Sequence, residues 1–329
     1  MKNTGIKVLV TGSNGLLGQK LTDLILQENH MLQKNRILQE TKSNRDKPQS
    51  RTEIQLIALS RGVNRHPQQQ GYTYIDIDLL NKEELNAVFQ HYQPDCVIHT
   101  AAMTHVDQCE EDPILCQKLN VELVKNLIDL CEAAATHLIH LSTDFIFDGQ
   151  DGPYKEDDQP NPLSLYGQSK LDSEALIRQS NCPWTIIRTI LVYGIVDDMS
   201  RSNIVLWAKG ALEKGQEIQM VQDQWRMPTL AEDLAAACLA AAKRKITGVF
   251  HVSGSELMAI TEIVQQIAKF WNLDQNLITP INSDTLNQKA KRPRRTGFHL
   301  EKAYSQLGYR PTSFWEGLEL IDSQLQKIS

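Results

Sequence analysis

Tyr166 and Lys170 stand four residues apart in Tyr166-Gly167-Gln168-Ser169-Lys170, a spacing that places both on one face of a helix. The run Leu171 to Arg178 is rich in Ala, Leu and Glu and holds no Gly or Pro, so a helix is expected there. An ammonium beside a phenol favours the phenolate, so the pair could supply an acid/base tuned toward neutrality. Two partly exposed residues on any helix show the same spacing, and the pair gains meaning only from what positions it. Ser142 and Thr143 follow an expected strand, His137 to Leu141, and Thr143 lies 23 residues before Tyr166. The Gly/Pro/Asp-rich loop Gly149 to Pro162 would let the chain return, bringing those hydroxyls within reach of the phenol.

The other chemistry-bearing stretch is glycine-rich. Ile6 to Val10 reads as a buried strand and runs into Thr11-Gly12-Ser13-Asn14-Gly15-Leu16-Leu17-Gly18, after which Leu21, Leu24 and Ile25 continue a helical spacing. In that context Gly12 permits a tight turn, Gly15 lets backbone approach a pyrophosphate and Gly18 allows close helix–strand packing. The helix N-terminus would supply N–H groups to phosphate; the plainer alternative is a tight βα turn alone. A second strand, Ile54 to Leu59, ends at Ser60 and Arg61. A carboxylate there would bond a ribose 2′-OH, whereas Arg pairs with a 2′-phosphate, so NADP(H) is preferred with NAD(H) as the alternative.

Residues 30–52 are polar, Lys/Arg-rich and without apolar periodicity, and are expected to be an inserted, solvated surface excursion. Tyr72 to Leu79 is a third strand. Asp78 at its end either accepts from an adenine amino group or caps the helix that begins near Lys82. The strand Pro94 to His99 opens into Thr100-Ala101-Ala102-Met103-Thr104, small residues that let a ligand approach backbone. His105 has no partner in sequence and reads as structural. A helix is expected over Leu119 to Ala135 with Asn120 at its start, then strands at Thr185 to Arg188 and Val192 to Gly194. This alternation predicts an α/β fold with a doubly wound parallel sheet over 1–190 and a smaller C-terminal α/β substrate domain over 191–329. Within the latter, 228–242 is expected to pack back on the main sheet. The cluster Lys291-Arg292-Pro293-Arg294-Arg295 suits either a local diphosphate site or a solvated loop.

With 41% hydrophobic and 22% charged residues, the composition is that of a soluble globular chain. A formal net charge of -6 argues against a nucleic-acid partner recruited by bulk positive charge. Six scattered cysteines without CxxC or Cys/His clustering argue against a metal site and for buried, reduced thiols. No apolar run reaches membrane-span length and no leader is evident, so no membrane contact and a cytoplasmic location are expected.

VLVTGSNGLLG, HTAAMTHVDQCEEDP, LSTDFIFDG, YGQSK and DQWRMPT together resemble the extended short-chain dehydrogenase/reductases, and among them the dTDP-4-dehydrorhamnose reductases, over nearly the whole chain. The resemblance implies a Rossmann-like fold and a nucleotide-sugar substrate, and the dimers common in the family imply a homodimer. It implies that Tyr166 protonates a C4 carbonyl oxygen during reduction, with Lys170 lowering its pKa and holding the nicotinamide ribose and Thr143 positioning the reacting oxygen. The pyrophosphate would fall to Gly12, Gly15 and Gly18 with Ser13, Asn14, Leu16 and Leu17, and the adenine to Asp78 and Leu79. The rest of the cofactor would fall to Thr100, Ala101, Ala102, Met103, Asn120, Ser142 and Arg188, and the substrate to Thr104, Val106, Asp144, Phe145, Leu191, Asn203, Gln224 and Arg292.

Three features depart from that pattern. Leu191 stands where the reductases carry Trp against the sugar; Thr296 and Phe298 replace the Ser and Leu of the late RPxxSxL pattern; and 30–52 is extra. A nucleotide-sugar epimerase or dehydratase is an alternative within the superfamily, although Phe145 stands where a dehydratase carries Glu. A non-catalytic, NADP-binding subunit is the other, because one regulatory subunit of methionine adenosyltransferase resembles the same reductases.

Overall fold

A computed structural model describes residues 5–40, 53–198 and 203–328. Strands β1 (Ile6–Thr11), β2 (Ile54–Ser60), β3 (Thr73–Asp76), β4 (Cys96–His99), β5 (His137–Thr143) and β6 (Trp184–Thr189) join an edge strand at Gly248–His251. They form a seven-stranded parallel sheet in the order edge strand, β6, β5, β4, β1, β2, β3. Because both faces are covered, successive side chains along one strand enter different cores. Val8, Val10, Ile139 and Ile187 face one, while Leu9, Leu138 and Ile186 face the other.

The helices are α1 (Leu16–Glu40), α2 (Lys82–Tyr92), α3 (Val106–Glu111), α4 (Pro113–Gln117), α5 (Leu123–Ala134), α6 (Leu165–Gln179), α7 (Ile204–Glu213), α8 (Ala231–Arg244), α9 (Ile260–Phe270) and α10 (Phe314–Ile328). Leu21 and Ile25 of α1 and the small residues of α8 cover the first face, and α2, α5 and α6 the second. The chain leaves β1 toward β2 and β3 and then crosses back to β4, so the strand order reverses between β1 and β4. A crevice for a ligand opens at such a reversal, outside the carboxyl ends of the strands. There Thr11 stands beside His99. A third core, including Tyr193, Val205, Ile263, Ile267 and Leu318, holds α7, α9 and α10 against a short parallel pair, Ile218–Val221 with Ile278–Ile281. Among the described residues, no helix is long and apolar enough to cross a membrane.

The doubly wound sheet and smaller α/β unit match expectation; three local features do not. The supposed excursion begins as helix, since α1 continues through 30–40. Its Gln, Leu, Lys and Glu residues have high helix propensity, and with Met31 64% exposed no apolar stripe announces it. Residues 41–52 lie outside the described residues. The helix expected from Leu119 instead begins with α4 and passes through a π turn, Lys118–Glu122, so Asn120 sits inside a helical run. The strand at Gly248–His251, well beyond residue 191, pairs with β6 and completes the main sheet.

Candidate active site

Ser164 caps α6, its hydroxyl accepting from Gly167 N at 3.2 Å. The first turn of α6 then lies directly on the backbone that leaves β5. A Cβ at Gly167 would sit 2.2 Å from Phe145 O, so glycine is the residue that lets the start of α6 lie against the backbone just after Thr143. The Tyr166 ring meets Phe145 edge-on at 5.7 Å, with Met103 and Val106 completing the wall. Thr143 Oγ1 donates to Asp144 Oδ1 at 3.1 Å and accepts from Phe145 N at 3.2 Å. Gly167→Ala is expected to cost about 1–3 kcal/mol by forcing these segments apart. Denaturant titration of the two proteins measures it.

One turn on, Lys170 is 3% exposed and its Nζ lies 3.0 Å from His140 Nε2. Desolvation pushes its ammonium down to about 8, against the opposing pull of Glu174. Glu174 is itself fully buried and takes a two-pronged contact from Arg188, at 3.0 and 2.8 Å. Burial alone would raise that carboxyl, but Arg188, Ser142 and Arg178 together hold it below its ordinary value. Asn120 ties the crevice to α6: its amide accepts from Met103 N at 2.8 Å and donates to Met103 O at 3.1 Å and to Ser169 Oγ at 3.0 Å.

The glycine turn has three distinct positions. Gly12 has φ +69°, and a Cβ there would meet Ala101 N at 2.9 Å. A Cβ on Gly18 would lie 2.4 Å from Gly12 O, while Gly15 is exposed and has only Gly12 O near its missing Cβ. The buried Ser13 hydroxyl has no hydrogen-bond partner. Leu16 and Leu17 open α1, and Thr100 Oγ1 donates to Thr11 O at 2.6 Å, holding Ala101 and Ala102 close behind the turn. Asn14 reaches beyond β2, donating to Val63 O at 2.9 Å and Tyr74 OH at 3.1 Å and accepting from Arg65 N at 3.0 Å. This fixes the backbone around Ser60 and the exposed Arg61. Asp78 is exposed beside the buried Leu79 and accepts from Leu80 N at 3.0 Å, while Asn81 is the residue that caps α2. The turn, Ser60, Arg61 and Asp78 all fall at the carboxyl ends of β1, β2 and β3.

On the side expected to take substrate, half-buried Val106 and Phe145 pack against Tyr166, and exposed Thr104 follows Met103 in the chain. Arg292 comes to the same rim from the C-terminal segment, where its guanidinium pairs with Asp107 at 2.7 Å. That pair and an Ala290 N bond hold the Asp107 carboxyl below its usual range.

Several expected ligand contacts are instead internal. Asp144 is buried; its carboxylate bonds Thr296 Oγ1 and pairs with Arg226 Nε at 3.4 Å. Burial raises its pKa against the pull of Arg226, and its assigned sugar contact is replaced by an anchor between β5 and the C-terminal segment. Arg188 is 1% exposed and engaged by Glu174, so it has no reach to a cofactor phosphate. Asn120 and Ser142 are likewise buried beneath the crevice. Asn203 caps α7 and donates to Gly194 O at 2.6 Å, Gln224 is buried, and Leu191 packs between the first and third cores with φ +41°. His105 caps α3, the structural role expected of it, and all six cysteines are free and buried.

The sequence reading did not single out Arg226, Asp107 or His140 as site residues. Arg226 carried one signal, a lone charge between Trp225 and Met227, and it donates to Trp225, Pro293 and Arg294 carbonyls.

Methionine adenosyltransferase 2 subunit beta of Xenopus laevis is 33% identical over 213 residues, 63% of this chain and 64% of that relative, so the alignment spans under two thirds of the relative's length. A dTDP-4-dehydrorhamnose reductase from Clostridium acetobutylicum superposes with TM-score 0.78 at 26% identity, covering 98% of this chain and all of that one. The Bacillus anthracis reductase solved in complex with NADP shares the fold, with TM-score 0.77 and 24% identity over 98% of this chain and 100% of that one. The family model of the RmlD substrate-binding domain matches residues 6–326, and the chain belongs to that family within the extended short-chain dehydrogenase/reductases.

Proposed function

We propose that the chain is an NADP(H)-dependent reductase of the C4 keto group of a nucleotide-linked 4-keto-6-deoxy sugar. What supports this reading is the close seating of the first turn of α6 on the backbone just after Thr143, where a Cβ at Gly167 would meet Phe145 O, with Lys170 buried one turn beyond Tyr166. A dinucleotide fits the residues present: Gly12 and Gly18 leave no room for side chains, Gly15 faces outward, and the Ser13 hydroxyl is unpaired. Gly12, Ser13, Gly15 and the α1 N-terminus would hold the pyrophosphate, Asp78 the adenine, and Ser60 and Arg61 the ribose with its 2′-phosphate. Bound there, the nicotinamide supplies hydride. Tyr166 gives the proton to the carbonyl oxygen that Thr143 holds in place, and Lys170 favours the phenolate left behind. A dehydratase would need a free acid beside Thr143, whereas Asp144 is committed to Arg226 and Thr296.

Purified protein mixed with NADPH and a panel of dTDP- and UDP-4-keto sugars is expected to consume the reduced nicotinamide with at least one. No consumption with any of them refutes the reading. A second reading, an accessory subunit of a methionine adenosyltransferase, is favoured by the Xenopus laevis relative. It predicts stable association with a methionine adenosyltransferase catalytic subunit and a change in that subunit's rate.

A further inference from the structure

The Lys170 amine faces inward. His140 on β5 is fully buried, with Nε2 3.0 Å from Nζ. The His140 ring stacks on His99 of β4 at 5.5 Å and 24°. His99 Nδ1 is in turn 2.7 Å from Thr11 Oγ1, at the entrance to the glycine turn. A polar column therefore crosses three adjacent strands beneath the crevice and ends on the lysine.

Hydrogen-bond accounting at His140 Nε2 allows two states. Ser173 Oγ lies 3.1 Å from it, but that hydroxyl gives its proton to Lys170 O at 2.7 Å and offers Nε2 only a lone pair. The ammonium has donors and no lone pair. A bare Nε2 therefore accepts from Lys170, whereas an Nε2–H must turn to Ser173 and opposes the ammonium. While Lys170 is charged, the charge-assisted bond prevails. Once Lys170 is neutral its amine offers a lone pair, so an Nε2–H can donate to it or to Ser173 and no charge opposes that tautomer. His140 Nδ1 has no partner in either case, so the tautomer is decided at Nε2. Burial, reinforced by Lys170 and His99, keeps this imidazole neutral. Ionisable groups around the pair include Tyr166 one turn earlier on α6, His99 on β4, Cys116 on α4, and Glu174, which is shared by Arg188 of β6 and Arg178.

We propose that His140 is the positioning residue of Lys170, a neutral imidazole whose Nε2 holds the ammonium and whose tautomer changes when that ammonium loses its proton. Only the kinetic arm of the test rests on the reductase reading. In the first arm, long-range 1H–15N spectra of the full chain labelled at histidine report the tautomer without turnover. His140 is expected as Nδ1–H at neutral pH, converting to Nε2–H as pH rises through about 8. Lys170→Met is expected to show Nε2–H throughout. An Nε2–H tautomer in the parent protein at neutral pH, unmoved by Lys170→Met, overturns the proposal.

In the second arm, turnover is followed against pH. His140→Phe removes the acceptor that favours charged Lys170, so the alkaline limb is expected to move down by about one to two pH units. His140→Gln, whose amide oxygen can take the place of Nε2, is expected to leave the limb near its original position. A limb unmoved in a folded His140→Phe overturns the proposal, because a merely structural histidine lowers stability without shifting the profile. If His140→Phe does not fold, the spectra still decide. If the parent protein reduces no 4-keto sugar, the reductase reading falls and the tautomer result stands on its own.

Discussion

Tyr166→Phe is expected to lower turnover about 10²–10⁴-fold, the range over which a positioned proton donor acts. NADPH affinity should be nearly unchanged, because the substitution deletes one oxygen and keeps the ring. The edge-on contact with Phe145 and the packing against Met103 and Val106 involve ring carbons, and the Gly167 contact that sets the start of α6 is untouched. Lys170, held from below by His140, also stays in place. Single-turnover assays with saturating NADPH, beside a direct titration of NADPH binding, separate the two quantities. A variant that retains full turnover removes Tyr166 from the proton path. If the chain acts as a subunit of another enzyme, its effect on that partner should survive the substitution while cofactor binding persists, so one variant tells the two readings apart.

Arg188→Met is expected to destabilise the fold by about 3–5 kcal/mol, because it leaves a buried carboxylate without its main counter-charge. Arg188 is among the largest fully buried side chains, bonded to Glu174 through Nε and Nη2, to Glu156 O at 3.2 Å, and lying 5.4 Å from the Phe147 ring centre. Arg178 remains near Glu174 at 3.0 Å but is partly exposed, which places the loss toward the lower end of the range. The pH dependence has a definite sign. In the parent protein the Glu174 pKa is held below its ordinary value, so this contribution is present at neutral pH and is lost as pH falls through the folded-state pKa. Without Arg188, burial raises that pKa, and protonation in acid relieves the penalty. The gap between the two proteins should therefore be widest at neutral pH and narrower at mildly acidic pH. Denaturant midpoints at both conditions measure it. Replacing Glu174 by Leu in the Arg188→Met background should recover much of the stability.

What could be read locally in the chain was read well. The strands of the main sheet are short apolar runs with sharp boundaries, and the glycine turn and α6 are set by residues adjacent in sequence. The misplaced assignments share one physical cause: the partner that decides a residue's environment lies far along the chain. The resemblance implies ligand contacts for Asp144 and Arg188, and nothing adjacent in sequence shows their interior partners. Each is internal because Arg226, or Glu174 across the β5–β6 layer, neutralises it in the interior. The edge strand at Gly248–His251 takes its place only through β6, more than sixty residues earlier, in a register from Gly248↔Thr185 to His251↔Arg188. The extension of α1 carries no periodic apolar signal in its sequence, which is a different reason.

The anchor formed by Asp144, Arg226 and Thr296 bears on how the protein is made. Asp144 and Thr296 are separated by 152 positions, so a growing chain emerging from the ribosome presents the β5 exit long before its last partner exists. Until Thr296 and the Pro293 and Arg294 carbonyls arrive, Asp144 and Arg226 can remain hydrated or pair without the surrounding backbone. The half of the crevice built from β1 to β4 can close early, while the floor beside Thr143 is sealed only after Thr296 has been made. If the proposed reductase reading holds, cofactor binding to nascent chains should precede turnover, with the interval set by translation from β4 to Thr296.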